Sequence, residues 1–577
     1  MNHSFYRHAA LCAVVLAGTL AGCGGGGAAA QLRTTQFGLV EGIDDSAASG
    51  TYLWKGIPFA KAPVKDLRWK APVDPDPWST AIQAKQFANA CVQYGRIYGP
   101  GANNRYDETI GTTLGTSLGS EDCLALNIWR PASGDTNLPV IVFFHGGSNV
   151  SGYTADPMYD GANLAKVANA VVVTANFRVG IFGFLNLPQL KTGDSAADSG
   201  NFALLDNIKA LQFVNRNIGT FGGDATNVTI MGQSAGAINV YALLTSPGVA
   251  AANPRLFQKA IPLSGGISLA TNLPPGSVPT LNRASSALAQ GNALLNNLLM
   301  ADGKATDAAS AQAFAATQTA AQIADYLRGK SSAALFTTLL TKLALLGLAG
   351  SGPIPDGAVV ATDPVAAVMA GNYAKAVVLA GNTRDEGKLF SSFLPLVGGT
   401  GNARIVSDAT LFANHFGYKP NDPAQTTLEQ WIAPSYLPVD APVTGFTARA
   451  EQLNKVFFLA SRDNILNALK SQQPGVWYYR FDWSQEPAPW NDIYGAAHAF
   501  DLPFVFGNFG PSLFSNIMNS TANQPGRLDL SNAMMKSVGA FAQKGDPNDP
   551  VLGVTWPTWP AKLVFDASKT EKRIRVE

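Results

Sequence analysis

A serine framed by two glycines, Gly232-Gln233-Ser234-Ala235-Gly236, carries the first chemistry in this chain. A serine hydroxyl is a poor nucleophile at neutral pH, so it needs an imidazole to take its proton and a carboxylate to orient that imidazole. The chain has five histidines. His3 and His8 fall in a leader read below as an export signal, leaving His145, His415 and His498. His145 is committed beside Gly146-Gly147, and His415 in Phe412-Ala413-Asn414-His415-Phe416 reads as part of a helix or its end. His498 sits in the small-residue loop Gly495 to Asp501, free to reach over a sheet edge, and is the expected base. Asp385 and Glu386 compete to be the acid, since either carboxylate could accept from the imidazole Nδ1–H. Their chemistry alone leaves them tied. His145-Gly146-Gly147-Ser148, together with the N–H of Ala235, offers converging backbone donors for an oxygen that becomes negative.

Each of these groups needs an element to hold it. Asn227 to Met231 reads as a short β-branched strand and Ala235 to Leu244 as a small-residue helix, so Ser234 must occupy a very tight strand-to-helix turn. Such a turn brings the residues two before and two after the serine almost into contact, which calls for Gly232 and Gly236. Pro139 to Phe144 is a continuous apolar run ending at His145, as in a strand covered on both faces. Val171 to Ala175, Ala260 to Leu263, Val377 to Ala380 and Trp477 to Phe481 are further strands, the last being the final one expected. Leu204 to Ile218 repeats apolar residues at helical spacing, and Met534 to Gln543 reads as a late amphipathic helix. Strands alternating with helices predict an α/β fold with a large, mostly parallel sheet. Ala284 to Gly350, poor in charge and rich in Ala, Leu and Gln, reads as a helical insertion between nucleophile and acid. Its end, Ala333 to Leu348, is nearly all apolar; Lys342 and flanking glycines favour a buried or lid helix, hinting at cover for an acyl pocket, over a membrane span.

Composition narrows the partners. Charged residues make up 14% of the chain and 41 basic side chains face 40 acidic ones. A chain with no net field is a poor partner for nucleic acid or a polyanion. The 46% hydrophobic content suits small apolar substrates instead.

At the front, Arg7 and His8 precede the apolar stretch Ala9 to Leu20, too short to span a bilayer, and Leu20-Ala21-Gly22-Cys23 ends it. Leu-Ala-Gly-Cys resembles the lipobox of bacterial lipoproteins. The resemblance implies a signal peptide over 1–22, lipidation of Cys23, a Gly/Ala tether over 23–33 and a cell-envelope location; an ordinary cleaved signal is the alternative. Either way the chain is expected to be exported, with its only membrane contact at the lipid anchor. Cys12 leaves with the signal and Cys23 with the lipid, so Cys91 and Cys123 remain and are expected to pair in an oxidising compartment. With two cysteines and three scattered histidines, no metal is expected.

Across nearly the whole mature chain these residues resemble the type-B carboxylesterase and cholinesterase-like family of α/β hydrolases. The likeness rests on Phe221-Gly222-Gly223-Asp224 through Ala235-Gly236, on Glu121-Asp122-Cys123-Leu124-Ala125-Leu126-Asn127, and on Gly56-Ile57-Pro58-Phe59-Ala60. Asn176-Phe177-Arg178-Val179-Gly180, Asp385-Glu386-Gly387 and Asp501-Leu502-Pro503-Phe504-Val505-Phe506-Gly507 extend it. The resemblance implies Glu386 as acid, Gly147, Ser148 and Ala235 as oxyanion donors, and a Cys91–Cys123 disulfide. It implies hydrolysis of an apolar carboxylic ester through an acyl-enzyme, without a cofactor. An amidase or carbamate hydrolase with the same triad, and a silent binding protein, are the alternatives. Three departures stand out: Gln233 where the family has glutamate, Ser148 in place of a third glycine, and Asn149 where an aromatic is common. The stretch Val92 to Asp122 has no tryptophan, which argues against choline esters as preferred substrates.

Overall fold

The protein is described by a computed structural model covering residues 31–423 and 425–577. The leader 1–22, Cys23 and most of the tether lie outside the described residues. The remainder of the tether is not loose chain: β1 (Gln31–Thr35) pairs antiparallel with β2 (Gly38–Asp45) in a register that runs from Gln31 opposite Gly42 to Thr35 opposite Gly38. Residues 31–33, assigned to the tether from composition, therefore belong to the sheet.

The sheet continues through β3 (Thr51–Pro58), β4 (Ala125–Pro131), β5 (Leu138–Phe144), β6 (Val171–Ala175), β7 (Gly223–Gln233), β8 (Lys259–Leu263), β9 (Val377–Thr383), β10 (Val476–Phe481), β11 (Leu563–Ala567) and β12 (Lys572–Val576). Its order is β1-β2-β3-β4-β6-β5-β7-β8-β9-β10-β11-β12, with Ile82–Gln83 added beside β2. From β6 through β11 every neighbouring pair is parallel. β11 and β12 follow the strand that the sequence marks as last. They form an antiparallel hairpin, and only β11 is fully internal; β12 is an exposed charged edge, Lys572-Arg573-Ile574-Arg575-Val576, whose alternation carries little apolar signal.

Parallel strands are covered on both faces, and β5 and β6 are buried at every residue. Successive side chains point to opposite faces. Val140, Val142 and Phe144 accordingly join one core with α1 (Phe202–Asn217) and α2 (Ala235–Leu244). Ile141 and Phe143 join the other, whose outer layer includes the apolar side of the C-terminal helix Gln524–Lys544 through Leu530, Met534 and Phe541.

The insertion over residues 284–350 holds four α-helices, α3 (Ala284–Ala301), α4 (Ala308–Ala316), α5 (Ala320–Arg328) and α6 (Ser332–Thr338), the last running on through Leu346 as irregular helical turns. They form a satellite core in which Leu335, Phe336, Leu339 and Leu343 pack with Trp69, Phe182 and Leu299. No helix among the described residues is long and apolar enough to cross a membrane. The apolar stretch 333–348 also does not line the large cavity described below, so it is not cover for it. Its apolar residues are spent on burying one side of α6, while Leu345 and Leu346 remain 86% and 66% exposed at the tip.

Cys91 and Cys123 form a disulfide with Cα atoms 5.0 Å apart. It closes the loop that forms one wall of the cavity. Breaking it with Cys91→Ala is expected to lower stability by about 3–4 kcal/mol, the loop-closure value for a ring of this length, read from urea unfolding of parent and variant.

Candidate active site

The chemistry-bearing residues gather at the carboxyl ends of the parallel strands, where loops from several strands can converge. Ser234 stands between β7 and α2 with φ +58° and ψ −122°, a backbone state an L-residue holds only under external constraint. The constraint is contact. A Cβ on Gly232 would sit 2.3 Å from the Gly236 carbonyl, and one on Gly236 would sit 2.2 Å from that of Phe144. The Ser234 N–H donates to the Leu263 carbonyl at 2.8 Å, tying the turn to the end of β8.

Glu386 opens the helical turns after β9 and is wholly buried. Its Oε1 accepts from Asn382 Nδ2 and from the Thr383 N–H, each at 2.9 Å, and its Oε2 faces His498 Nδ1 in a short hydrogen bond. Burial works against a charge there. The His498 ring and these donors outweigh it and hold the carboxyl below its usual range. The imidazole is wedged between Phe390, 4.9 Å away edge-on, and Phe458 at 5.2 Å.

The two carboxylates differ in their partners. Asp385 turns away from the imidazole and pairs with Arg384 at 2.7 Å. It also accepts from the Ala496 N–H at 3.0 Å, and its own N–H donates to the Ala496 carbonyl. Asp385 thus staples the acid loop to the histidine loop. Burial opposes its charge too, but Lys388 and Arg384 keep its carboxyl low. Gly495, at φ +53°, leaves room for it, since a Cβ there would lie 2.6 Å from Asp385 Oδ2.

The other two histidines are elsewhere. His145 is stacked on Phe177 at 4.5 Å with Nδ1 against the Gly146 carbonyl, and burial pushes it down to about 4. His415 lies inside the helix Asp408–Gly417, with Nε2 on the Tyr494 hydroxyl at 2.9 Å, and burial pushes it to about 3.

After β5 the chain turns through Gly147 at φ +103°, Ser148 at +57° and Asn149 at +56°. A Cβ at 147 would fall 2.1 Å from the Ser151 carbonyl, so glycine is needed there. The N–H groups of Gly147, Ser148 and Ala235 have no acceptor among the described residues. The turn is clasped to α2 by a reciprocal amide pair: Asn239 Nδ2 donates to Asn149 Oδ1 at 2.9 Å and Asn149 Nδ2 to Asn239 Oδ1 at 3.2 Å, both side chains buried. This clasp gives Asn149 a function where an aromatic would be common.

One expected contact is missing. Ser234 Oγ makes no hydrogen bond to His498; Gln233 Nε2 stands 3.0 Å from His498 Nε2 instead. Glu386 is buried behind His498, and Gly147, Ser148, Gln233, Ser234 and His498 border a cavity of about 840 Å³. Its walls include Tyr94, Tyr98 and Tyr106 from the disulfide loop and Phe390 and Phe393 after the acid. Sequence reading missed these walls. The aromatic spacing in Tyr94-Gly95-Arg96-Ile97-Tyr98 and Leu389-Phe390-Ser391-Ser392-Phe393 was the available signal.

A strand-borne serine on a tight turn, a buried acid-histidine pair and a free donor loop at the sheet's carboxyl ends define an α/β hydrolase. Residues 29–574 match the model of the Carboxylesterase family, and the chain belongs to that family. It is 31% identical to the para-nitrobenzyl esterase of Bacillus subtilis over 92% of each chain. It is 32% identical to the fumonisin B1 esterase of Sphingopyxis macrogoltabida, covering 91% of this chain and 84% of that one. Among solved structures, a PNB esterase superposes with a TM-score of 0.70 at 28% identity, covering 95% of this chain and 97% of the other.

Asp501, three residues past the imidazole, offers a test of the buried electrostatics. Tyr479 donates to its Oδ2 at 2.7 Å, while Oδ1 has no partner among the described residues. Burial raises its carboxyl to about 6 and Glu386 adds to the rise, against the Tyr479 hydrogen bond. A folded value raised above the unfolded one, about 3.9, means that its stabilising contribution is full below that value and is lost as pH climbs through about 6. Asp501→Asn keeps an oxygen for Tyr479 and removes the charge. It is expected to exceed the parent in stability by about 2–3 kcal/mol at pH 8 and to lose that advantage near pH 4, read from urea midpoints at the two pH values.

Proposed function

We propose that the protein hydrolyses a carboxylic ester through an acyl-enzyme formed on Ser234. The observation that carries this reading is that His498, paired with Glu386, borders one cavity together with Ser234 and with Gly147 and Ser148, whose N–H groups have no acceptor among the described residues. Glu386, charged and held by Asn382 and Thr383, fixes the imidazole with its proton on Nδ1, which leaves Nε2 as the acceptor for the serine proton. As Ser234 Oγ attacks the ester carbonyl, the carbonyl oxygen becomes negative and is stabilised by the N–H groups of Gly147, Ser148 and Ala235. His498 then gives the proton to the departing alcohol. Water repeats the sequence on the acyl-enzyme, returning the acid and free serine. All the groups this cycle needs are side chains and backbone of the chain.

The names of the relatives support the reaction class, and the cavity supports a sizeable, partly aromatic substrate. The leader residues Arg7 to Cys23 support export and a lipid anchor at Cys23. The Gln233 contact favours one rival, a silent binding protein on the same fold, because it leaves the serine without its base.

A series of p-nitrophenyl esters from acetate to palmitate separates these readings. Ser234→Ala is expected to lower kcat by several orders of magnitude with an unchanged unfolding profile. Glu386→Gln is expected to lose at least about a hundredfold in kcat, whereas Asp385→Asn, whose carboxylate staples two loops, is expected to lose stability more than rate. Equal hydrolysis by parent and Ser234→Ala, or none by either, would contradict the reading.

A further inference from the structure

Gln233 is the residue that the triad chemistry does not absorb. Its side chain is 3% exposed, it borders the cavity, and its amide lies between the two halves of the site. At one end its Nε2 is 3.0 Å from His498 Nε2. At the other its Oε1 lies where a Cβ on residue 146 would be 2.5 Å away, so Gly146 provides the space the amide occupies. The polarity of the contact follows from the acid. Because Glu386 Oε2 is an acceptor, His498 carries a proton on Nδ1, and in the neutral ring that serves as base Nε2 presents a lone pair. Only a donor can sit there, and the amide N–H of Gln233 is one. A carboxylate in the same place could not donate.

That lone pair is also the one Ser234 needs. An sp² nitrogen has a single in-plane lone pair, so the Gln233 N–H and the Ser234 O–H compete for it. Resting on the triad reading given above, we propose that Gln233 is a latch on the base: in the free enzyme its amide caps His498 Nε2, and attack by Ser234 requires the amide to withdraw. Gln233 is thus a positioning residue acting through His498. In the capped state Ser234 Oγ–H has no acceptor and stays protonated. When the amide swings away, Nε2 accepts the serine proton as the Oγ–carbon bond forms. No other atom changes hands. One neutral hydrogen bond thus slows the resting site, and a substrate that fills the space beside Gly146 displaces the amide and opens the site.

The test is covalent capture of Ser234 by a small fluorophosphonate, followed by stopped release of fluoride over a range of reagent concentrations. This separates the saturating rate of bond formation from the half-saturating concentration. Gln233→Met keeps length and volume but has no N–H; Gln233→Glu also has none when ionised. Both are expected to raise the saturating rate about fivefold, which corresponds to about 1 kcal/mol, the net value of one neutral hydrogen bond, with little change in half-saturation. A merely structural role would lower the saturating rate in both variants, and that result, or no change in either, would overturn the latch. If Gln233→Met fails to fold, Gln233→Glu alone carries the comparison. Absence of capture in the parent, or equal capture in Ser234→Ala, would overturn the triad reading itself and the latch with it.

Discussion

The turn at Ser234 is the constraint on which the rest depends. Its backbone stays at φ +58° because β7, α2 and the end of β5 crowd around it, with Gly236 beneath the Phe144 carbonyl and the Ser234 N–H bound to Leu263. Loosening any of these would let the turn relax, and the hydroxyl would no longer project from the sheet. The same crowding puts the donor loop after β5 against α2, where the Asn149–Asn239 clasp fixes it. Ser234 and the loop Gly147 to Asn149 are therefore one packed unit, built from neighbouring strands. The acid and the histidine come from farther along the sheet and have to be brought to it.

Two adjacent carboxylates do that work by different means. Glu386 is inward, fully buried and held by donors that stabilise its charge, so it orients the imidazole. Asp385 is outward, paired with Arg384 and bound to the backbone at Ala496, so it fixes the histidine loop. The division keeps the negative charge beside the imidazole to a single group. Asp501, close by and raised to about 6 by burial, gains its charge only as pH climbs through that value. Gln233 contributes an amide dipole where a carboxylate would have added a second charge.

Much of this was legible in the residues. The elbow, its two glycines and the central strands follow from apolar runs bounded by Gly-rich turns, and the pairing of Cys91 with Cys123 follows from there being no other cysteine in the body of the chain. By chemistry alone Asp385 and Glu386 were indistinguishable because they differ by one methylene, and only the resemblance favoured Glu386; the backbone direction after β9 is what separates inward from outward. The hairpin β11–β12 was hidden because its outer strand is an exposed edge with a charged residue at every second position. The apolar run 333–348 misled for the opposite reason: a helix that buries one side in a satellite core and exposes Leu345 and Leu346 has the composition of a cavity cover without bordering the cavity. The contact between Gln233 and His498 joins residues far apart in sequence, and no periodicity reports it.

Covalent acylation of Ser234, as proposed above, is read directly from the mass of the protein. A p-nitrophenyl N,N-dialkylcarbamate leaves a carbamyl group that is slow to hydrolyse, so the adduct persists long enough to weigh and to map by proteolysis. One p-nitrophenol released per chain and one carbamyl group on the peptide carrying Ser234, absent in Ser234→Ala, are expected. Release without an adduct, or an adduct that survives Ser234→Ala, would contradict that proposal.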